Sequence, residues 1–352
     1  MERYVLVYGA YGHTGRFVVT ELLRRGLTPI LSGRDSARLG ELAAQFPGLE
    51  ARQASVDDAG SLADAVRGAG VVVNCAGPFL DTGVPVAAAA VRAGAHYLDV
   101  TAEQGAAQQV YRAHQELGWP ADVAVIPAMA FYGGLADLLA TTAMAEWEAA
   151  DEITVAIGLD RWWPTEGTRA TGRRNTATRL VVNGGRLVPV PSPAPVRDWD
   201  FPAPLGRQAV TGMPFTEIVA MARHLAASRI DTYLSAVALD DIRNVATPAP
   251  RAVDEDGRSA QQFVVDVVVR LGAGERRISA AGRDIYAVTG PLVAEAAGRL
   301  TDGRAKVRGA AAPGEVFDAP DFLDALSPRD LRLSRSEGGS HAAGHRDRLG
   351  RV

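Results

Sequence analysis

The stretch Val5–Arg16, VLVYGAYGHTGR, constrains this chain more than any other. A run of strand formers, Tyr4–Tyr8, passes directly into a turn with glycines at 9, 12 and 15. Helical periodicity follows over Phe17–Arg25, with Gly26 placed to stop it. An uninterrupted apolar strand is covered on both faces, which belongs to a parallel sheet with helices on either side. The glycines have separate tasks. Gly9 permits a tight turn off the strand, Gly12 lets a phosphate approach the backbone, and Gly15 lets the helix pack on the strand. Phosphates bound here would lie at a helix N-terminus, on free N–H groups at the positive end of the dipole. The loop thus nominates Gly9, Tyr11, Gly12, His13, Thr14 and Gly15 as dinucleotide-binding residues, His13 through stacking or a phosphate contact.

The same alternation continues downstream. Strands are expected at Pro29–Ser32, Ala51–Ala54, Val71–Cys75, Tyr97–Val100 and Val123–Ile126. Helices are expected between them at Ser36–Phe46 with Ser36 as N-cap, Ser61–Arg67 capped by Asp58, Val84–Ala93 and Ala102–Leu117. This is the pattern of an α/β protein with a Rossmann-type doubly wound parallel sheet over residues 1–130. After Pro127 the pattern changes. A helix at Leu135–Trp147 leads to longer alternating strands, beginning at Ile153–Leu159. Phe263–Leu271 and Arg276–Arg283 read as a hairpin joined by residues 272–275. A second α+β domain with a mostly antiparallel sheet is therefore expected over 131–290, as substrate or dimerisation domain. Prolines 189, 191, 193, 195, 202 and 204 make Val188–Pro204 a surface loop or extended arm. A helix at Pro291–Leu300 opens a segment, 291–333, that returns to the first domain, and the polar stretch 334–352 is predicted to be disordered.

Composition removes several chemistries. The 352 residues carry 37 basic and 41 acidic side chains, a net charge of −4 that argues against a nucleic-acid partner. No apolar run reaches the length of about 20 residues that spans a bilayer, and no leader precedes the first strand, so a cytoplasmic protein is expected. Cys75 is the one cysteine, which excludes an internal disulfide, a redox pair and a cysteine zinc site. The single lysine, Lys306, leaves no P-loop and no Tyr-x-x-x-Lys pair, because position 302 is Asp. Histidines at i, i+4 occur only at His341 and His345, in the terminal tail, so no metal site is expected.

The end of the second strand selects the cofactor. An NAD site usually places a carboxylate there for the ribose 2′-hydroxyl, whereas this chain reads Leu31-Ser32-Gly33-Arg34, with Arg38 one turn on. Ser32 and Arg34 can donate to a 2′-phosphate, so NADP(H) is favoured. Asn74-Cys75-Ala76-Gly77-Pro78-Phe79 leaves the fourth strand at its carboxyl end. There Asn74, Ala76 and Gly77 are positioned to meet the cofactor, with Pro78 and Phe79 to wall its nicotinamide. Asp57 is placed to meet the adenine amino group or to share the Asp58 cap, and Thr101 completes the set beyond the fifth strand.

At these residues the chain resembles a known family. GAYGHTGR, SGR, NCAGPF and VRAGAHYLDVTAE look like the NADP-binding domain of saccharopine dehydrogenase-like proteins, a group that includes saccharopine reductases and trans-acting enoyl reductases. The match is dense over 1–137 and thinner beyond, where PAMAFYGGLADLL and GRDIYAVTGPLVAEAA are similar to the family's crossover and returning segments. The resemblance implies an NADP(H)-dependent reductase of a small molecule, an α/β second domain, a homodimer and a place in specialised metabolism. The chain departs from the enoyl-reductase branch at its crossover, which reads Ala130-Phe131-Tyr132-Gly133-Gly134.

Reduction of a C=N or C=C bond needs a positioned nicotinamide and a proton donor. Tyr132 is the first candidate, since the neighbouring glycines would expose it at the domain junction, and Asp99 and Glu103 flank the fifth strand's end. The hydroxyl- and arginine-rich stretch Thr165–Thr178 reads as a turn, from which Arg169, Arg173, Arg174 and Asn175 could grip a substrate carboxylate or phosphate. Two other readings stay open. One is an opine-type reductive amination, which needs two carboxylate grips, and the other is a non-catalytic regulator that senses NADP.

Overall fold

The computed structural model describes residues 4–120 and 122–338. The chain opens with β1 (Tyr4–Tyr8), α1 (His13–Arg24), β2 (Thr28–Gly33), α2 (Ser36–Gln45), β3 (Ala51–Gln53) and α3 (Ala59–Val66). It continues through β4 (Val71–Asn74), α4 (Phe79–Arg92), β5 (His96–Asp99), α5 (Gln104–Glu116) and β6 (Ala124–Ile126). A π-helical turn, Phe131–Leu135, then runs into α6 (Ala136–Met144). The next stretch holds β7 (Ala150–Leu159), α7 (Glu166–Arg174), β8 (Leu180–Asn183), β9 (Arg186–Pro189), β10 (Val196–Asp200) and β11 (Arg207–Gly212). It is followed by α8 (Thr216–His224), β12 (Ala227–Ser235), α9 (Ala236–Arg243), β13 (Gln262–Leu271) and β14 (Gly274–Arg283). The described chain closes with α10 (Thr289–Thr301), β15 (Gly309–Ala310), α11 (Pro313–Val316), α12 (Ala319–Leu326) and β16 (Arg332–Gly338).

Seven strands form an all-parallel sheet in the order β15-β6-β5-β4-β1-β2-β3. Apart from the added β15, this is the doubly wound order, which reverses direction beside β1 and opens a crevice at the strands' carboxyl ends. The second sheet has nine strands. Its main path runs β10-β11-β12-β7-β13-β14-β16, with β8 attached to β12 and β9 to β8. Its pairings are antiparallel except that of β12 with β7. The fold is therefore α/β, with a Rossmann-type sheet joined to a mostly antiparallel one.

Period-2 alternation divides β7 and β13 between two buried faces, Ala156 and Val264 facing a smaller cluster and the other set the main core. Ile153, Val155, Ile157 and Leu159 of β7, and Phe263, Val265, Val267 and Val269 of β13, are all fully buried in one continuous core. Each such side chain contributes about 1.5–3 kcal/mol on burial. That core runs through α6, whose Leu138, Leu139 and Ala140 are also fully buried, into the helices under the parallel sheet. The two sheets thus share apolar packing across their junction.

Several local expectations are corrected. The N-cap of α2 is Asp35, one residue before Ser36; its carboxylate accepts the Arg38 amide at 3.1 Å from an extended backbone. Helix α4 begins at Phe79, before Val84, and carries Pro85 inside it, because a distant carboxylate, Glu103, accepts the Phe79 amide. The 165–178 stretch holds a helix, α7, which the Thr165 side chain caps by accepting the Thr168 amide at 3.0 Å. The proline-rich segment contains the edge strand β10, with its prolines on either side of the strand, where no ladder donor is lost. The β13–β14 hairpin turns on Gly272 and Ala273 alone, Gly272 taking φ +56°. Ser334–Gly338 belong to β16, paired along β14, and residues 339–352, with His341 and His345, lie outside the described residues.

Candidate functional site

The glycine turn is built by backbone contacts. The Gly9 and Ala10 amides both donate to the Ser32 carbonyl, at 2.8 and 3.1 Å, which ties the turn to the end of β2. Gly9 takes φ +82°, and a Cβ on it would lie 2.9 Å from the Ala76 amide, so the turns after β1 and β4 touch. Helix α1 starts after Gly12 with no side-chain cap, leaving first-turn amides for an anion.

Around β2's end the nominated residues divide. Arg34 is exposed; its carbonyl accepts the Gln53 side-chain amide at 2.9 Å, while its guanidinium makes no hydrogen bond or ion pair among the described residues. The Tyr11 ring lies against Gly33; its hydroxyl accepts the Asp35 amide at 3.2 Å, and the Arg38 guanidinium stands 4.7 Å above its ring. Ser32 is fully buried, its hydroxyl has no partner among the described residues, and it is its carbonyl that shapes the loop. Asp58 caps α3 through the Gly60 and Ser61 amides, and the carboxylate of the exposed Asp57 accepts, among the described residues, a long contact of 3.4 Å from the Ser55 hydroxyl. His13 is exposed at its edge but packs its ring 5.3 Å from both Phe17 and Tyr286, and burial lowers its pKa. Thr14, in the first turn of α1, makes no side-chain hydrogen bond among the described residues.

At the carboxyl ends of β4 and β5 lies a buried polar network. Asn74 donates to Thr82 Oγ1 at 3.1 Å and to the Tyr97 hydroxyl at 3.3 Å, and accepts the Ala76 amide at 3.0 Å. Its side chain, nominated for the cofactor, is wholly occupied in shaping the turn. Thr101 is likewise buried, its hydroxyl accepting the Glu103 amide at 3.0 Å, so it too supports the site from beneath. Asp99 accepts from the Tyr97 hydroxyl at 2.9 Å, the Thr101 amide at 3.0 Å and the Ala128 amide at 2.8 Å. Burial raises its pKa to about 6. Ala128 sits at φ +62°, so Asp99 holds the crossover in a left-handed backbone that alanine rarely adopts. Burial also pushes the Cys75 thiol up, as expected for a small structural side chain. His96 is structural as well, its Nδ1 accepting the Ala124 amide at 2.9 Å.

The second sheet's elements close over this end. Helix α7 has no buried residue, yet a Cβ on Gly77 would lie 3.1 Å from its Thr171 hydroxyl. Pro78 and Phe79 follow in the same turn, Phe79 being 9% exposed. Arg174 pairs with Asp81 of α4 at 2.8 Å, and Arg169 donates to the Asn244 and Thr247 carbonyls. Asn175 is the C-cap of α7. Of the nominated arginines, Arg174 thus reaches the first turn of α4 and Arg169 the 244–247 segment, so both are already engaged within the chain. Tyr286 joins α7 to the phosphate loop: its hydroxyl meets Trp162 Nε1 at 3.0 Å and Thr168 Oγ1 at 2.9 Å, while its ring packs on His13. Gln104 clamps the junction through the Leu180 and Phe215 carbonyls at 2.9 and 2.8 Å. Neither Tyr286 nor Gln104 was nominated, since the sequence around them carries no chemical motif.

Tyr132 is not exposed. It is 8% accessible, stacks on Phe215 at 4.0 Å and meets Phe131 edge-on at 4.9 Å; its hydroxyl is buried without a partner. The glycines beside it admit close packing, since a Cβ on Gly133 would lie 2.9 Å from Thr216 Oγ1. Tyr132 is therefore packed among aromatic rings and not exposed at the junction as expected. Among the described residues no group of His, Cys, Asp or Glu could hold a metal, and no helix is long and apolar enough to cross a membrane.

Residues 5–119 match the family model "Saccharopine dehydrogenase NADP binding domain". A curated relative, "Lipid droplet localized protein" of Caenorhabditis elegans, is 32% identical over 151 residues. That alignment covers 39% of this chain and 35% of the relative, so the chain spans about a third of the length of the protein it matches. Among solved structures, apo saccharopine dehydrogenase (L-Glu forming) from Saccharomyces cerevisiae superposes with a TM-score of 0.64 at 13% identity. The superposition covers 95% of this chain and 100% of the yeast chain. GenD2 from gentamicin A biosynthesis, in complex with NAD, aligns over 96% of this chain and 97% of its own at 16% identity and a TM-score of 0.45. Residues 5–119 are therefore a saccharopine dehydrogenase-type NADP-binding domain, carried in a chain with the fold of saccharopine dehydrogenase.

Proposed function

We propose that this chain is an NADP(H)-dependent oxidoreductase that reduces a polarised C=N or C=C bond of a small molecule, in specialised metabolism and as a homodimer. The observation that carries the reading is the meeting of three elements at the switch point of the parallel sheet: the uncapped start of α1, the free Arg34 beyond β2, and the Ala76–Gly77 turn under α7. The residues fit the cofactor. First-turn amides of α1 would hold the pyrophosphate, Arg34 a 2′-phosphate, and Gly77, Pro78 and Phe79 the nicotinamide. When bound, a reduced nicotinamide supplies the hydride. The protein's part is to orient that ring against the substrate under α7 and to exclude water from the junction.

Opine-type reductive amination finds less support, because Arg169 and Arg174 already serve carbonyls and Asp81 and are not free for two substrate carboxylates. NADPH oxidation measured against a panel of cyclic imines and enones tests the proposal. Turnover with any of them supports it. Tight NADPH binding with no turnover across both classes would overturn the enzymatic reading in favour of a nucleotide-sensing role.

A further inference from the structure

With Tyr132 packed away, the junction still holds a carboxylate whose two oxygens have different fates. Glu103 is 1% exposed. Its Oε1 accepts the Phe79 amide at 3.0 Å and so starts α4, whereas Oε2 is buried with no partner among the described residues. Capping a helix needs one oxygen. A second, orphaned one carries a desolvation cost that the fold does not offset, and such atoms are rare in native structures. Its place is specific. Phe79 follows Gly77 and Pro78 in the turn that touches the glycine loop through Ala76 and lies beneath Thr171. That is the carboxyl end of β4, where ligands of doubly wound sheets bind.

The groups that face Glu103 come from three elements. Burial raises its pKa most, and the carboxylates of Asp81 on α4 and Asp99 on β5 raise it further. The Phe79 amide opposes them most and Arg174 on α7 adds to it, though Arg174 is exposed and already paired with Asp81.

We propose that Glu103 is the proton donor of this site, holding a proton on Oε2 and giving it to the substrate atom that gains one on reduction. The assignment rests on the NADP(H) reading above, in which the substrate carbon receives a hydride, with its electron pair, from a reduced nicotinamide that is thereby oxidised. On the protein side, the O–H bond of Glu103 breaks, the proton joins the substrate nitrogen or the second carbon of the C=C bond, and the bonding pair stays on Oε2. Solvent returns a proton to the carboxylate between turnovers. Asp99, with both oxygens committed, has no such freedom.

The test needs no substrate. The oxidised nicotinamide ring carries a positive charge that the reduced ring lacks, so a carboxylate beside it favours NADP+ over NADPH. Dissociation constants for both nucleotides are measured from pH 5 to 9 in the wild type and in Glu103→Gln, which keeps an acceptor for Phe79 and removes the proton. The ratio of the two constants should move about tenfold toward NADP+ as pH rises in the wild type, the effect of a coupling of about one pKa unit, and stay flat in the variant. In protein carrying 13C-carboxyl glutamate, the resonance missing from the Glu103→Gln spectrum should titrate above the usual glutamate range and shift down on adding NADP+ but not NADPH. Should Glu103→Gln fail to fold, Glu103→Asp, which keeps a carboxylate but carries no labelled glutamate at position 103, identifies the same resonance. Parallel pH profiles for the two nucleotides, or a Glu103 resonance indifferent to NADP+, would overturn the donor assignment and leave the cofactor reading intact. Failure of both nucleotides to bind would overturn the two together.

Discussion

Two glycines, both inside helices, should respond to the same substitution with opposite signs. Gly40 lies in α2, where a Cβ would meet nothing within 4 Å, so Gly40→Ala should gain the ordinary helix-propensity difference of about 0.5–1 kcal/mol. Gly15 lies in the first turn of α1 and is buried. A Cβ there would overlap the Gly9 carbonyl oxygen and sit 2.9 Å from that of Ala10. Both obstacles are backbone, which no side-chain rotamer can relieve. Overpacking of this kind costs about 1–3 kcal/mol, which exceeds the propensity gain, so Gly15→Ala should lose about 1–2 kcal/mol net. The variants should therefore differ by about 2 kcal/mol, read as a separation of urea midpoints at a common slope. NADPH affinity should fall with Gly15→Ala, because the displaced helix start carries the amides meant for phosphate, and should be unchanged in Gly40→Ala. A Gly15→Ala protein as stable as wild type, with unaltered affinity, would refute the claim that this glycine exists for close approach of α1 to the turn.

Two further expectations follow from buried polar atoms. Tyr132→Phe removes a hydroxyl that has no partner, so thermal denaturation should find the variant as stable as wild type or up to about 1 kcal/mol better, with nucleotide binding intact. Glu217 is fully buried, with one oxygen accepting the Phe215 amide at 2.8 Å, and burial raises its pKa to about 7. Its folded value thus lies above its unfolded value near 4.5, the folded state binds the proton more tightly, and its contribution to stability is lost as pH rises from about 4.5 to 7. Glu217→Gln should flatten that part of the stability–pH profile, as followed by urea denaturation; an unchanged slope would show that another group titrates there.

What was legible in the sequence was what depends on neighbours in the chain. The strand formers at Tyr4–Tyr8, the glycine spacing at 9, 12 and 15, and the strand-forming runs of β7 and β13 each state their local structure. What was not legible depends on distant partners. Helix α4 starts five residues early because Glu103 supplies a cap from 24 positions away. Helix α7 has no apolar face to reveal it; the Thr165 cap starts it and Tyr286, from the far end of the second sheet, holds it. The same limit explains the site residues. Asn74 and Thr101 stand where cofactor ligands stand, yet their side chains are engaged in the turns that shape the crevice, and Ser32 serves the glycine turn through its carbonyl. Flanking glycines suggested exposure for Tyr132, whereas in the fold they let Thr216 and Phe215 close around it. Whether a small residue opens a site or tightens packing is decided by what lies opposite, and a single sequence does not state that.

The central claim is that the crevice at the switch point takes NADP(H) through Arg34. Titration of NADPH and NADH against the wild type and Arg34→Ala, at one fixed salt concentration, tests it most directly. The account predicts that NADPH binds the wild type at least tenfold more tightly than NADH and that Arg34→Ala removes the preference, as loss of one charge-assisted contact of about 1.5–3 kcal/mol requires. Equal affinity for the two nucleotides, or a preference that survives the loss of Arg34, would contradict it.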